Sequence, residues 1–155
     1  MPEPSPERED MLVICKTIPL PREKVFAAWL DPQGMKYWMC PAHILSTEAQ
    51  LDPRVGGSFR IVMKGKDRDY EHTGEYRVIE PPSKIVFTWV SDGTDHKPTL
   101  VTVELFERGQ HCELVLTHER FPRPDKVQAH KLGWSEIADL LADYLQKHHF
   151  AKRRG

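Results

Sequence analysis

No stretch of this chain is both long and apolar. A membrane-spanning helix needs roughly 18 or more consecutive apolar residues. Every hydrophobic run here is broken sooner by charge, proline or glycine, so no insertion into a membrane is expected. An excess of charge is also missing. Lys and Arg number 22 against 23 Asp and Glu, a net charge of -1, which removes the electrostatic case for nucleic acid or an anionic membrane. Cysteine is scarce. Cys15, Cys40 and Cys112 are odd in number and far apart, which fits reduced thiols in a cytoplasmic protein better than a disulfide framework. Residues 1–10 lack a basic stretch followed by an apolar core, so they do not read as a secretory signal. They are expected as a disordered, solvated lead-in.

Several chemical signatures are absent as well. The 8 histidines contain no pair at i, i+4, His148 and His149 are adjacent, and no Cys-x-x-Cys occurs; no bound metal is expected. Gly65-Lys66-Asp67 has neither the preceding glycine nor the following helix of a phosphate loop, and there is no Gly-x-Ser-x-Gly elbow. No nucleotide or other cofactor is expected.

What is present is a pattern of elements. Residues 11–18 read as a strand, stopped by Pro19-Leu20-Pro21. Residues 22–30 read as a short helix burying Val25, Phe26 and Trp29, ended by Asp31-Pro32. A second short helix follows over 33–39, carrying Met35 and Trp38. Strand patterns then recur over 43–51, 58–64, 70–80 (with Gly74 as a bulge site), 84–91, 100–106 and 112–118, separated by short turns. Six consecutive strands with short connections imply an antiparallel meander. After Phe121-Pro122-Arg123-Pro124, residues 125–148 read as one long helix with Trp134, Ile137, Leu141 and Tyr144/Leu145 on a single stripe. That stripe needs a partner, and the sheet is the only one large enough. A sheet curved around a helix can hold a cavity between them. Residues 149–155 read as a basic C-terminal tail that complements the helix end.

Alternate strand residues share a face. Phe59/Ile61/Met63, Gly74/Tyr76/Val78, Ile85/Phe87/Trp89 and Cys112/Leu114/Leu116/His118 each form one greasy face, with Arg60, Glu75, Arg77, Thr88, Glu113 and Thr117 opposite. Two readings stand: a solid aromatic core, or an apolar pocket with a few polar groups. The proposed pocket walls are Trp38, Phe59, Tyr76 and Phe87, with Trp89, His118 and Trp134. His118 ends an inward face, as a buried neutral histidine held by a carbonyl or as a hydrogen-bonding group at a pocket mouth. Gly133, inside the long helix, costs roughly 1 kcal/mol relative to alanine. Either a backbone packs closely there, or the missing side chain leaves room for a ligand.

Several segments taken in order carry a likeness to a known family. They are Val25 to Trp29 with Asp31-Pro32, Tyr37-Trp38 with Pro41, and Asp52-Pro53-Arg54-Val55-Gly56-Gly57-Ser58-Phe59-Arg60. Gly74-Glu75-Tyr76, Ile79-Glu80-Pro81-Pro82-Ser83-Lys84 and Phe87-Thr88-Trp89 follow, then Leu116-Thr117-His118-Glu119 with Phe121, and His130 with Gly133-Trp134. Over about residues 11–145 the sequence resembles the activator-of-heat-shock-protein-90-ATPase-like family of the START-like (SRPBCC) superfamily. The resemblance implies an α+β helix-grip fold of START/Bet v 1 type. In it a curved antiparallel sheet of about six to seven strands wraps a long C-terminal helix, and two short helices follow the first strand. Residues 11–148 would form this one domain. The superfamily includes lipid and hormone carriers, cyclases and aromatases, so a small cytoplasmic binding protein for a hydrophobic or aromatic molecule is the first expectation. A cyclase-like or hydrolase-like enzyme using His118, and a module that docks on a chaperone, are the alternatives.

Overall fold

The computed structural model describes residues 10–154, with side chains as far as His148 at the C-terminal end. Of the expected lead-in, residues 1–9 lie outside the described residues. The elements are β1 (Leu12–Ile18), α1 (Arg22–Ala28), α2 (Pro32–Trp38), β2 (Ser46–Leu51), β3 (Ser58–Lys64), β4 (Asp69–Glu80), β5 (Lys84–Trp89), β6 (Thr99–Arg108), β7 (His111–Glu119) and α3 (Val127–Arg154). The seven strands form one antiparallel sheet in the order β1-β7-β6-β5-β4-β3-β2. It curls into a half-barrel closed by α3. The meander runs from β2 to β7, and β1 pairs beside β7.

The strand faces follow from alternation. In β7, Cys112, Leu114, Leu116 and His118 are buried and the residues between them are not. The inner face meets the α3 stripe of Trp134, Ile137, Ala138, Leu141 and Ala142, all buried, with Tyr144 and Leu145 packed at its margin. Asp31-Pro32 both ends α1 and opens α2. The Asp31 carboxylate accepts a hydrogen bond from Gln33 N at 3.1 Å, and Pro32 takes the first helical position, where its missing N–H costs nothing.

The structure departs from the sequence reading in four places. The bulge in β4 is not at Gly74; the register with β5 shifts between Tyr76 and Val78. That extra residue reverses the alternation, so Ile79 packs against the core in place of the expected Val78. Gly74 is required by close approach instead: a Cβ there would lie 1.9 Å from Thr88 O and 2.5 Å from the Phe59 ring. The strand expected from residue 43 begins at Ser46, because residues 42–43 turn with Ala42 at a φ of 53. The final helix opens with a 3-10 turn (Pro124–Lys126), and its backbone continues past His148 to Arg154, through most of the expected tail.

Strand β4 is also shared unequally. Its residues 69–75 pair with β3, whereas its residues 76–80 pair with β5. Beyond Trp89 only an isolated bridge, Thr73 to Val90, joins β4 to the chain that follows. The sheet therefore opens beside the N-terminal end of α3.

Candidate functional site

Over part of the sheet's inner face the interior is filled. Trp29 meets Trp38 edge-on at 5.0 Å, and Phe59 meets Phe87 edge-on at 5.4 Å. Tyr76 lies 5.6 Å from Phe59. The gap among Phe59, Tyr76, Phe87, Trp89 and Trp29 is about 10 Å³, the scale of a single water. Trp38, Phe59, Tyr76 and Phe87 thus form a solid aromatic core, each 5% exposed or less. Burial pushes the Tyr76 phenol above its ordinary pKa.

Beside the N-terminal half of α3 lies an open cavity of about 520 Å³. Its floor is Met63 and Trp89 from the sheet, and one wall is Gly133, Trp134 and Ile137 from α3. The opposite lip is the loop over residues 41–44, and the exposed Leu132 and Tyr70 stand at the mouth. A Cβ at Gly133 would meet nothing within 4 Å. Of the two explanations for a mid-helix glycine, close packing is removed and open space remains. The loop is pinned across the cavity: Ala42 N–H donates to Glu136 Oε2 at 2.6 Å.

Of the proposed wall residues, Trp89, Gly133 and Trp134 line this cavity, and Trp89 borders both the cavity and the packed core. His118 lies one layer behind, fully buried. Its Nδ1 is 3.0 Å from Trp134 Nε1, and an indole nitrogen only donates, so Nδ1 is the acceptor. The proton then sits on Nε2, which donates to Thr99 Oγ1 at 2.7 Å. The Thr99 hydroxyl in turn donates to Trp89 O at 2.6 Å. This directed chain runs from α3 through β7 and β6 to β5, and it fixes the Trp134 ring in the cavity wall. Burial holds His118 well below its ordinary pKa, with His130 nearby adding to the effect. His118 is therefore a buried neutral histidine, held by an indole and a hydroxyl and not by a carbonyl.

Three polar residues of the cavity went unremarked as site residues: Tyr70, His72 and His130. Tyr70 and His72 continue backwards the face of Gly74 and Tyr76, so period-two alternation already placed them inward. The His72 ring stacks 4.7 Å from Trp89, and burial lowers its pKa to about 4. His130 is likewise held low by burial. These three also border a second, polar chamber of about 310 Å³, reached between β4 and the 3-10 turn Asp92–Thr94. Among the described residues no cluster of three or more His, Cys, Asp or Glu has the geometry for a metal ion, and no helix is long and apolar enough to cross a membrane.

A half-barrel sheet, a long closing helix and a cavity at that helix's N-terminal end define a helix-grip protein. The chain belongs to the family described as Activator of Hsp90 ATPase homolog 1-like protein, whose profile matches residues 19–146. A solved protein from Rhodobacter sphaeroides is 23% identical, with 92% of this chain and 97% of that one aligned at a TM-score of 0.79. One from Chromobacterium violaceum is 21% identical over 89% of this chain and 98% of its own, with a TM-score of 0.77. An HSP90 activator from Plasmodium falciparum is 25% identical over 82% of this chain and 89% of its own, with a TM-score of 0.68. No curated protein matches the sequence. Family and fold together support a module of the ligand-binding or Hsp90-activator-like kind.

Proposed function

We propose that the chain is a cytoplasmic binding protein, one domain over residues 11–148, that holds a hydrophobic or aromatic small molecule between its sheet and α3. The observation that carries this reading is Gly133: it faces open space beside Trp134, in a cavity of about 520 Å³ walled mainly by apolar side chains. That volume is in the range of small-molecule sites, which are mostly apolar with a few placed polar groups. Trp89 and Trp134 supply the flat surfaces, and Gly133 supplies the room. Trp38, Phe59, Tyr76 and Phe87 act as the rigid backing, and His118 orients Trp134. Acid or base catalysis by His118 is not favoured, because both its ring nitrogens are engaged by protein partners. The free thiols Cys15, Cys40 and Cys112 are in keeping with a reducing compartment.

The test has two parts. Native mass spectrometry of the freshly purified chain should show a co-purified small molecule. Titration with a naphthalene sulfonate dye and with fatty acids should show saturable binding at one site per chain. Absence of both would favour the chaperone-docking reading, which the likeness to the Plasmodium falciparum HSP90 activator keeps as the second. Stimulation of an Hsp90 ATPase by the purified chain would then be the deciding assay.

A further inference from the structure

The apolar cavity does not end at its own polar rim. Tyr70, His72 and His130 line both it and the polar chamber of about 310 Å³. A molecule seated against Trp134 can thus extend one end past His130.

The hydrogen-bonding character of that point is set by the helix. His130 Nδ1 lies 2.8 Å from Lys126 O. A carbonyl only accepts, so the proton is on Nδ1 and Nε2 presents a lone pair. No described residue hydrogen-bonds Nε2. The ring is held edge-on by Phe121 at 4.8 Å and His118 at 5.3 Å. Gly93 lies close beside the Nε2 edge and leaves it room only by lacking a side chain: a Cβ there would lie 3.1 Å from Nε2 and 2.7 Å from Cε1. Of the chamber's charges, Arg68 pairs with Asp92, Glu71 pairs with Arg60 from outside it, and Lys126 adds a cation to its wall near His130. At Nε2 itself the offer to a ligand is an acceptor, and burial, with Lys126 nearby, holds His130 below its ordinary pKa.

We propose that His130 Nε2 is the specificity-determining acceptor of this site, selecting aromatic or apolar molecules that carry a hydroxyl group, phenols above all. The proposal rests on the reading of the cavity as a ligand site, and the test separates the two. The probes are 2-naphthol and 2-methoxynaphthalene, which share a ring body and differ in the donor. Calorimetric or fluorescence titration of the full chain should give a preference for the naphthol of roughly five- to tenfold, the value of one net hydrogen bond. In His130→Phe the preference should fall to about one, and His130→Gln, which keeps an acceptor, should recover part of it. Gly93→Ala keeps the imidazole but sets a methyl 2.7 Å from Cε1, so the ring must shift and Nε2 is displaced or capped; it should also shrink the preference, and it serves if His130→Phe does not fold. Equal binding of the two probes by the unmodified chain, or a preference that survives both His130→Phe and Gly93→Ala, overturns the acceptor role and leaves the cavity reading intact. Tighter binding of 2-naphthoate than of 2-naphthol also overturns it, in favour of an anion site. Failure of all three probes to bind overturns both.

Discussion

The interior has two ends built from the same kinds of residue, yet one end is solid and the other open. Where Trp29, Phe59, Tyr76 and Phe87 interlock the gap is about 10 Å³; beside the N-terminal half of α3 the space is about 520 Å³. Two local features account for the difference. On the helix, Gly133 withholds a side chain where any other residue would fill the space. On the sheet, β5 stops at Trp89 and leaves the first half of β4 without a full neighbour. The tryptophans differ in how their indoles are held. Of the 4 in the chain, Trp29, Trp38 and Trp89 bury an indole N–H with no protein partner, whereas Trp134 has His118. The filled end is held by packing. The open end keeps its wall in place by a directed hydrogen-bond chain.

Truncation of the filled end should have the largest effect. Leu141 is fully buried on the inner stripe of α3, so Leu141→Ala should cost about 2–5 kcal/mol in chemical denaturation. A loss below about 0.5 kcal/mol would mean that this end is not close-packed.

Two glycines sharpen the comparison next. Gly74→Ala places a methyl against Thr88 O and the Phe59 ring, and should destabilise by about 1–3 kcal/mol or more through overpacking. Gly133→Ala meets nothing and should stabilise by up to about 1 kcal/mol through helix propensity alone. Equal signs for the two would erase the distinction between the ends.

Acid should weaken the open end. His118, His72 and His130 all have folded pKa values below the ordinary 6.5, His72 at about 4. A histidine depressed in the folded state contributes its full stability above pH 6.5. It loses that stability as the pH falls from there towards its folded pKa, because the unfolded chain binds the proton first. Each such group can contribute a slope of up to about 1.4 kcal/mol per pH unit. Protonated His118 would also face the Trp134 N–H with a second donor. Denaturation from pH 7.5 to pH 4.5 should therefore show falling stability, with a shallower slope in His72→Phe. An unchanged slope would mean that His72 is solvated.

Much of this architecture was legible in the chain. Every strand and helix was visible through period-two or helical spacing, and the α3 stripe and the inward faces of β3, β5 and β7 were read correctly. The β4 bulge was not, because its extra residue, near Arg77, carries no glycine and leaves no compositional mark. The loop over residues 41–44 was read partly as strand because its turn depends on Ala42 at positive φ, a conformation an alanine does not advertise. The candidate cavity was legible in its residue types more than in its layout. Trp89, Gly133 and Trp134 came together at the cavity. Phe59, Tyr76 and Phe87 share their periodicity but pack on one another and, through Phe87, on Trp29, and spacing cannot tell a lined cavity from a filled one. The bond between His118 and Trp134, and the tautomer it imposes, depends on how α3 is set on β7, which no local pattern encodes.

The central claim is that the space beside Gly133 is a binding site and not a packing defect. The most direct measurement is titration of a naphthalene sulfonate dye against the unmodified chain and against Gly133→Leu, with thermal denaturation of both. Leucine is a better helix former than glycine and has open space to enter, so the fold should be retained or strengthened while dye affinity falls at least about tenfold, or by about 1.4 kcal/mol. A stable Gly133→Leu protein that binds the dye as tightly as the unmodified chain would contradict the account.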